Sequence, residues 1–213
     1  METSEQQGFE LKKAIERSTE LSDFLHRALG EKADLTARGR LAMAYLSIAL
    51  DHREAILLLV SYGAYTSATA LHRPLLEAVM SGAWVESSAT DTDVEGIATF
   101  KRPQPKAVTM IKGLRKTHEL GKWFEVLYEH YGIVGDYTHG NVRQLSRWLG
   151  RDAIEPQFSD GQIIELLRHT NIVGLLAAIL REKLADRPVT QLFEMLALLA
   201  HTYRSHPAGV STE

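Results

Sequence analysis

The stretch LAMAYLSIALDHREAILLLV, residues 41–60, constrains this chain more than any other. By length and hydropathy it could cross a bilayer, which takes about 20 apolar residues. Yet Asp51, His52, Arg53 and Glu54 stand in its middle, and such a charged block would be very costly in lipid. The run therefore reads as a core helix with a polar interruption. NIVGLLAAIL, residues 171–180, is too short to span and reads the same way. No membrane partner is expected.

Helical periodicity extends through nearly the whole chain. A first helix is expected over 5–29, stopped by Gly30, and a second over about 33–62, stopped by Gly63. The third runs from about 64–66 to 86 with Thr66 or Ser67 as cap, and Pro74 is expected to kink it or to displace its first turn. SSATDTDVEG, 87–96, reads as a loop. A helix at 104–118 is weakened by Gly113, and further helices are expected at 122–131 and 142–149. Ser159 or Asp160 caps a long helix to about 185, and Pro188 sits in the first turn of a last one ending near 203. No segment alternates as a strand should. The expected fold is an all-α antiparallel helical bundle, one domain over 1–205 with an irregular helix-loop insertion at 87–160 and a disordered tail at 206–213.

Absences narrow the chemistry. The 213 residues contain no cysteine, so disulfides, zinc–thiolate sites, iron–sulfur clusters and cysteine nucleophiles are excluded. The N-terminus METSEQQGFELKK has no apolar leader core, and a cytoplasmic setting is expected. A net charge of −3 gives no global attraction to nucleic acid, though it leaves room for a local basic patch. There is no Glu-x-x-His, P-loop, Gly-x-Ser-x-Gly or Gly-x-Gly-x-x-Gly, so neither a metal nor a cofactor is expected.

The polar residues inside the apolar segments are the candidates for a site. In an antiparallel hairpin of helices two and three, residues whose numbers sum to about 128 lie at one height. That sets Asp51 level with Glu77, and Glu54 level with Arg73 or Pro74. Arg73 and Glu77 interrupt the otherwise apolar third helix four residues apart, on one face. One reading is a satisfied ion network, Arg73 with Glu54 or Glu77 and Arg53 on the rim. The other is a polar pocket of Arg73, Glu77, Asp51 and His52. A third stretch, GIVGDYTHGNVRQLSRWLG (132–150), brings glycines and hydrogen-bonding side chains together. Either it is a plain helix–loop–helix corner, or it folds Tyr137 and His139 over the pocket, with Arg143 and Arg147 as an anion-contacting pair or a solvated face. The mid-helix RHTN, 168–171, reads as a hydrogen bond at the edge of the core.

Ser67, Arg73, Leu75, Glu77 and Trp84, followed by Tyr137, Thr138, His139, Gly140, Gln144 and Arg147, form a pair of patterns. Together they resemble a group of uncharacterised bacterial proteins with a HEPN-like helical bundle, a nucleotide- and RNA-associated class found in toxin–antitoxin and phage-defence settings. The resemblance implies a homodimeric helical module that binds a nucleotide, RNA or protein partner. It departs at one point. HEPN ribonucleases carry an arginine, four to six intervening residues and then a histidine on one helix, and none of the nine histidines here has an arginine five to seven positions before it. The alternatives are a metal-independent nuclease or hydrolase built from Arg73, Glu77, Tyr137 and His139, and a purely structural dimerisation bundle.

Overall fold

The computed structural model describes residues 4–30, 33–118, 120–121, 123–126, 145, 148–149, 154 and 157–205. Among them are seven named helices and no sheet, with one isolated bridge between Leu149 and Ile154. We number them α1 (Ser4–Ala28), α2 (Ala37–Ser61), α3 (Tyr65–Ser87), α4 (Asp91–Ala98), α5 (Ala107–Thr117), α6 (Asp160–Leu184) and α7 (Thr190–Ser205). Residues 121 and 123–126 are helical as well. The fold is an all-α bundle.

Local chemistry sets most helix ends. Thr36 caps α2, its hydroxyl accepting from the Gly39 N–H at 3.2 Å. Gly63 takes a positive φ of 73°, which lets the chain turn sharply into α3. Ser159 opens α6 with a capping box completed by Gln162. Two expectations fail. Residue Ala64, without a side-chain bond, stands at the α3 cap instead of Thr66 or Ser67. The expected loop at 87–96 contains α4, nucleated by a capping box between Thr90 and Asp93 and anchored by buried Val94 and Ile97. Helix α3 runs on through Pro74, nine residues in from its start, because its buried face holds it on both sides of the lost hydrogen bond.

The expected hairpin register holds. A Cβ at Gly82 would lie 2.8 Å from Leu46 Cδ2 and 3.2 Å from the Ala42 carbonyl oxygen, so α2 and α3 pack backbone to backbone at that level. Helix α6 fills the centre, with Val173 and every residue of 175–179 fully buried. It is the one helix among the described residues long and apolar enough to cross a membrane, and 78% of that window lies inside the bundle. Helices α3 and α6 run parallel. His72 meets His169 near one end, while Glu86 and Lys183 line a common cleft near the other, and each pair is separated by the same number of residues.

Glu182, 1% exposed, ties the ends of α1 and α6 together. It accepts from Arg181 at 2.8 Å, from Arg187 at 3.1 Å and from the Gly30 N–H at 3.3 Å. A carboxylate this deep is tolerable only with such partners.

Candidate polar site on helices α3 and α6

Four consecutive polar residues on α2 sweep most of a helical turn, so they cannot all face one neighbour. Arg53 is the one that turns inward, and it is fully buried, where a position on the rim was expected. Its guanidinium bridges three helices. One terminal nitrogen donates to Ser22 and Glu54, and the other to the Ser18 carbonyl at 2.7 Å and to Asn171 Oδ1 at 3.0 Å. Asn171 Nδ2 donates in turn to Ser18 Oγ at 2.9 Å, and Ser22 Oγ donates to Glu54 at 2.9 Å. Burial pulls the Arg53 pKa down from its ordinary value, and the Glu54 carboxylate opposes the shift. This is a structural network whose polar groups are mostly consumed by one another. It also gives Asn171 of the RHTN stretch its expected core hydrogen bond.

The pocket expected around Asp51 and His52 is not built in that form. Asp51 is exposed and His52 only half-buried, because the turn of α2 that buries Arg53 carries Asp51 to the outside. Glu54 pairs with Arg53, not with Arg73. Arg73 instead donates from Nε to Glu77 Oε1 at 3.0 Å, one turn along α3. Both side chains keep about a quarter of their surface in solvent, 25% and 30%. Tyr137, His139, Arg143 and Arg147 lie outside the described residues.

What the structure adds is an imidazole pair across the α3/α6 seam. His72, 3% exposed, directly precedes Arg73, and its ring lies 5.9 Å from that of His169, tilted by 45°. His169 Nε2 is 3.2 Å from Glu165 Oε1, and Arg168 Nη1 is 3.7 Å from Glu165 Oε2. One stretch of seam thus carries two imidazoles, two guanidinium groups and two carboxylates, with each carboxylate holding a cation one turn away. Such a cluster can bind an anion through Arg and protonated His, or move a proton between imidazoles. Among the described residues no group of three or more His, Asp or Glu side chains could hold a metal ion.

Sequence reasoning found Arg73 and Glu77 from their spacing, read His169 within RHTN only as a hydrogen bond at the core edge, and passed over His72. The Glu165-x-x-x-His169 spacing was a usable signal. That His72 faces it was not, since nothing local pairs α3 with α6.

No curated protein and no solved structure matches this chain. A family model does match it, over residues 46–205, from the middle of α2 to the end of α7. The chain belongs to that family, described as a family of unknown function (DUF6988).

Proposed function

We propose that this protein is a HEPN-like helical module that binds the phosphate of a nucleotide or an RNA end at the α3/α6 polar seam. The observation that supports it is the His72–His169 pair, 5.9 Å apart, flanked by Arg73 and Arg168. Guanidinium and imidazolium groups are the side chains that recognise phosphate oxygens by charge-assisted hydrogen bonds. Glu77 and Glu165 pre-orient those cations, which lowers the entropy lost when a ligand docks. Arg73 and Glu77 keep 25% and 30% of their side-chain surface in solvent, which puts a charged pair of the seam within reach of a solute.

The same imidazole pair favours a second reading, metal-independent cleavage, in which one ring removes a proton and the other supplies one. Both are tested by titrating the protein with 5′-phosphorylated and dephosphorylated RNA oligonucleotides and then running the mixtures on a denaturing gel. Phosphate-dependent binding without products supports the module, and products lost in His169→Ala support the nuclease. No binding and no products would overturn both.

A homodimer in the cytoplasm completes the proposal. One face of α2 exposes Ala44, Ile48, Leu58 and Tyr62, at alternating steps that run through Asp51 and Ala55. About a two-fold axis this stripe is self-complementary in antiparallel register, with Ala44 against Tyr62 and Ile48 against Leu58 of a second copy.

A further inference from the structure

A second site stands at the other end of the α3/α6 seam, built from residues that play no part in the first. Glu86 is fourteen residues beyond His72 on α3, about 21 Å along the helix axis. There a cleft of about 580 Å³ opens between α2, α3, α6 and the end of α5. Its volume is within the range of small-molecule sites. Its floor is apolar, from Leu46, Leu180 and Leu184, and its polar wall holds Glu86, His118 and Lys183.

His118 is fixed in place. Its side chain is only 6% exposed, and its ring meets Phe124 edge-on with centroids 5.4 Å apart. Nδ1 accepts the Leu120 N–H at 3.0 Å, so in the neutral ring the proton sits on Nε2. Nε2 lies 3.9 Å from Glu86 Oε2, beyond hydrogen-bond distance. A donor and an acceptor therefore stand side by side at the cleft, unjoined, above an apolar floor. Burial holds His118 below the ordinary imidazole range, with Lys183 adding to the shift and Glu86 opposing it, so the ring stays a neutral donor near pH 7. At the same cleft the Thr117 and Ser87 hydroxyls lie 3.4 Å apart in a hydrogen-bonded cluster with Ser88 and the Gly113 and Ala83 carbonyls, so what they offer a ligand is acceptor lone pairs.

The complement of this arrangement is a flat ring whose edge carries a hydrogen-bond acceptor next to a donor, attached to a group rich in hydroxyls. We propose that the cleft binds a nucleoside. The base packs over Leu184, the half-buried leucine of the floor, its edge acceptor takes the His118 Nε2–H and its edge N–H donates to Glu86. The sugar faces Ser87 and Thr117. A base edge satisfies both groups at once, whereas a simple anion has no donor to offer the Glu86 carboxylate. The proposal does not rest on the phosphate reading, since no residue is shared.

The test is calorimetric titration of the full chain with uridine and adenosine. Controls are N3-methyluridine and N6,N6-dimethyladenosine, which lack the edge donor, and ribose 5-phosphate, which lacks the base. At least one parent nucleoside should bind, with its methylated form weaker by about tenfold or more. Glu86→Ala, at a side chain 44% exposed and so tolerant of change, should weaken that nucleoside to a similar degree. Arg73→Gln should leave its affinity unchanged. Three results would overturn the proposal: no nucleoside binding at millimolar concentration, equal binding of methylated and parent forms, or equal binding by Glu86→Ala. Ribose 5-phosphate matching the nucleosides would overturn it as well.

Discussion

Gly174 on α6 occupies the position against which the Arg53 side chain is laid. A Cβ there would come within 2.8 Å of Arg53 Cδ and 3.0 Å of Cγ. The glycine inside an otherwise ideal helix is thereby explained. It gives up about 1 kcal/mol of helix propensity relative to alanine so that a guanidinium can cross the core. Arg53→Ala should destabilise the fold by about 3–5 kcal/mol, because Asn171 and the Ser18 carbonyl lose a buried charged partner. Gly174→Ala should cost about 1–3 kcal/mol by overpacking in the wild type. In an Arg53→Ala background it should cost nothing or stabilise. Urea melts of the two single variants and the double variant read this coupling directly, and additive losses would sever the link between the two residues.

Arg73 should behave in the opposite way. Its pair with Glu77 is partly solvated and lies along one helix, so the loss of that pair in Arg73→Gln should cost less than about 1 kcal/mol. Phosphate-dependent RNA binding should nevertheless fall by about tenfold or more. A large loss of stability with binding intact would make Arg73 a structural residue.

His118 makes stability depend on pH. Its folded pKa lies below the ordinary value of 6.5, so the unfolded chain takes up a proton before the folded one does. Its contribution is complete above about pH 6.5 and declines as pH falls toward the depressed folded value. The groups around it are Glu86, which favours the protonated ring, and Lys183, which disfavours it. His118→Asn keeps an acceptor for the Leu120 N–H but does not titrate. Between pH 7.5 and pH 5.5 the wild type should therefore lose more stability than the variant, as measured by denaturant midpoints. Equal losses would contradict a depressed His118.

Light scattering after size exclusion tests the α2 stripe. Leu58, 59% exposed, touches little within its own chain. Leu58→Glu should leave the thermal midpoint nearly unchanged while converting dimer to monomer. A wild type that is monomeric at tens of micromolar would remove the homodimer from the proposal.

The amino-acid sequence determined the helices and where most of them stop, because capping, glycine and proline act within one or two turns. Gly63 and Ser159 do what their neighbours in sequence predict. It also determined the α2/α3 register, because a three-residue connection leaves a hairpin little freedom, and Leu46 against Gly82 follows from that. The Arg73–Glu77 pair was legible for the same reason, being set by helical spacing alone. Missing α4 was a failure to weigh local chemistry, since the Thr90–Asp93 box is written in the sequence. What only the tertiary structure decided is azimuth and distant pairing. Whether Arg53 or Asp51 points inward depends on how α1, α3 and α6 together surround α2, and a periodic pattern with four polar residues in a row does not specify that. That His72 meets His169, and that Glu86 shares a cleft with Lys183, depends on α6 lying parallel to α3 in one register. No short loop connects those two helices, so their alignment is fixed by how side chains interlock along the whole seam, not by any motif within either one.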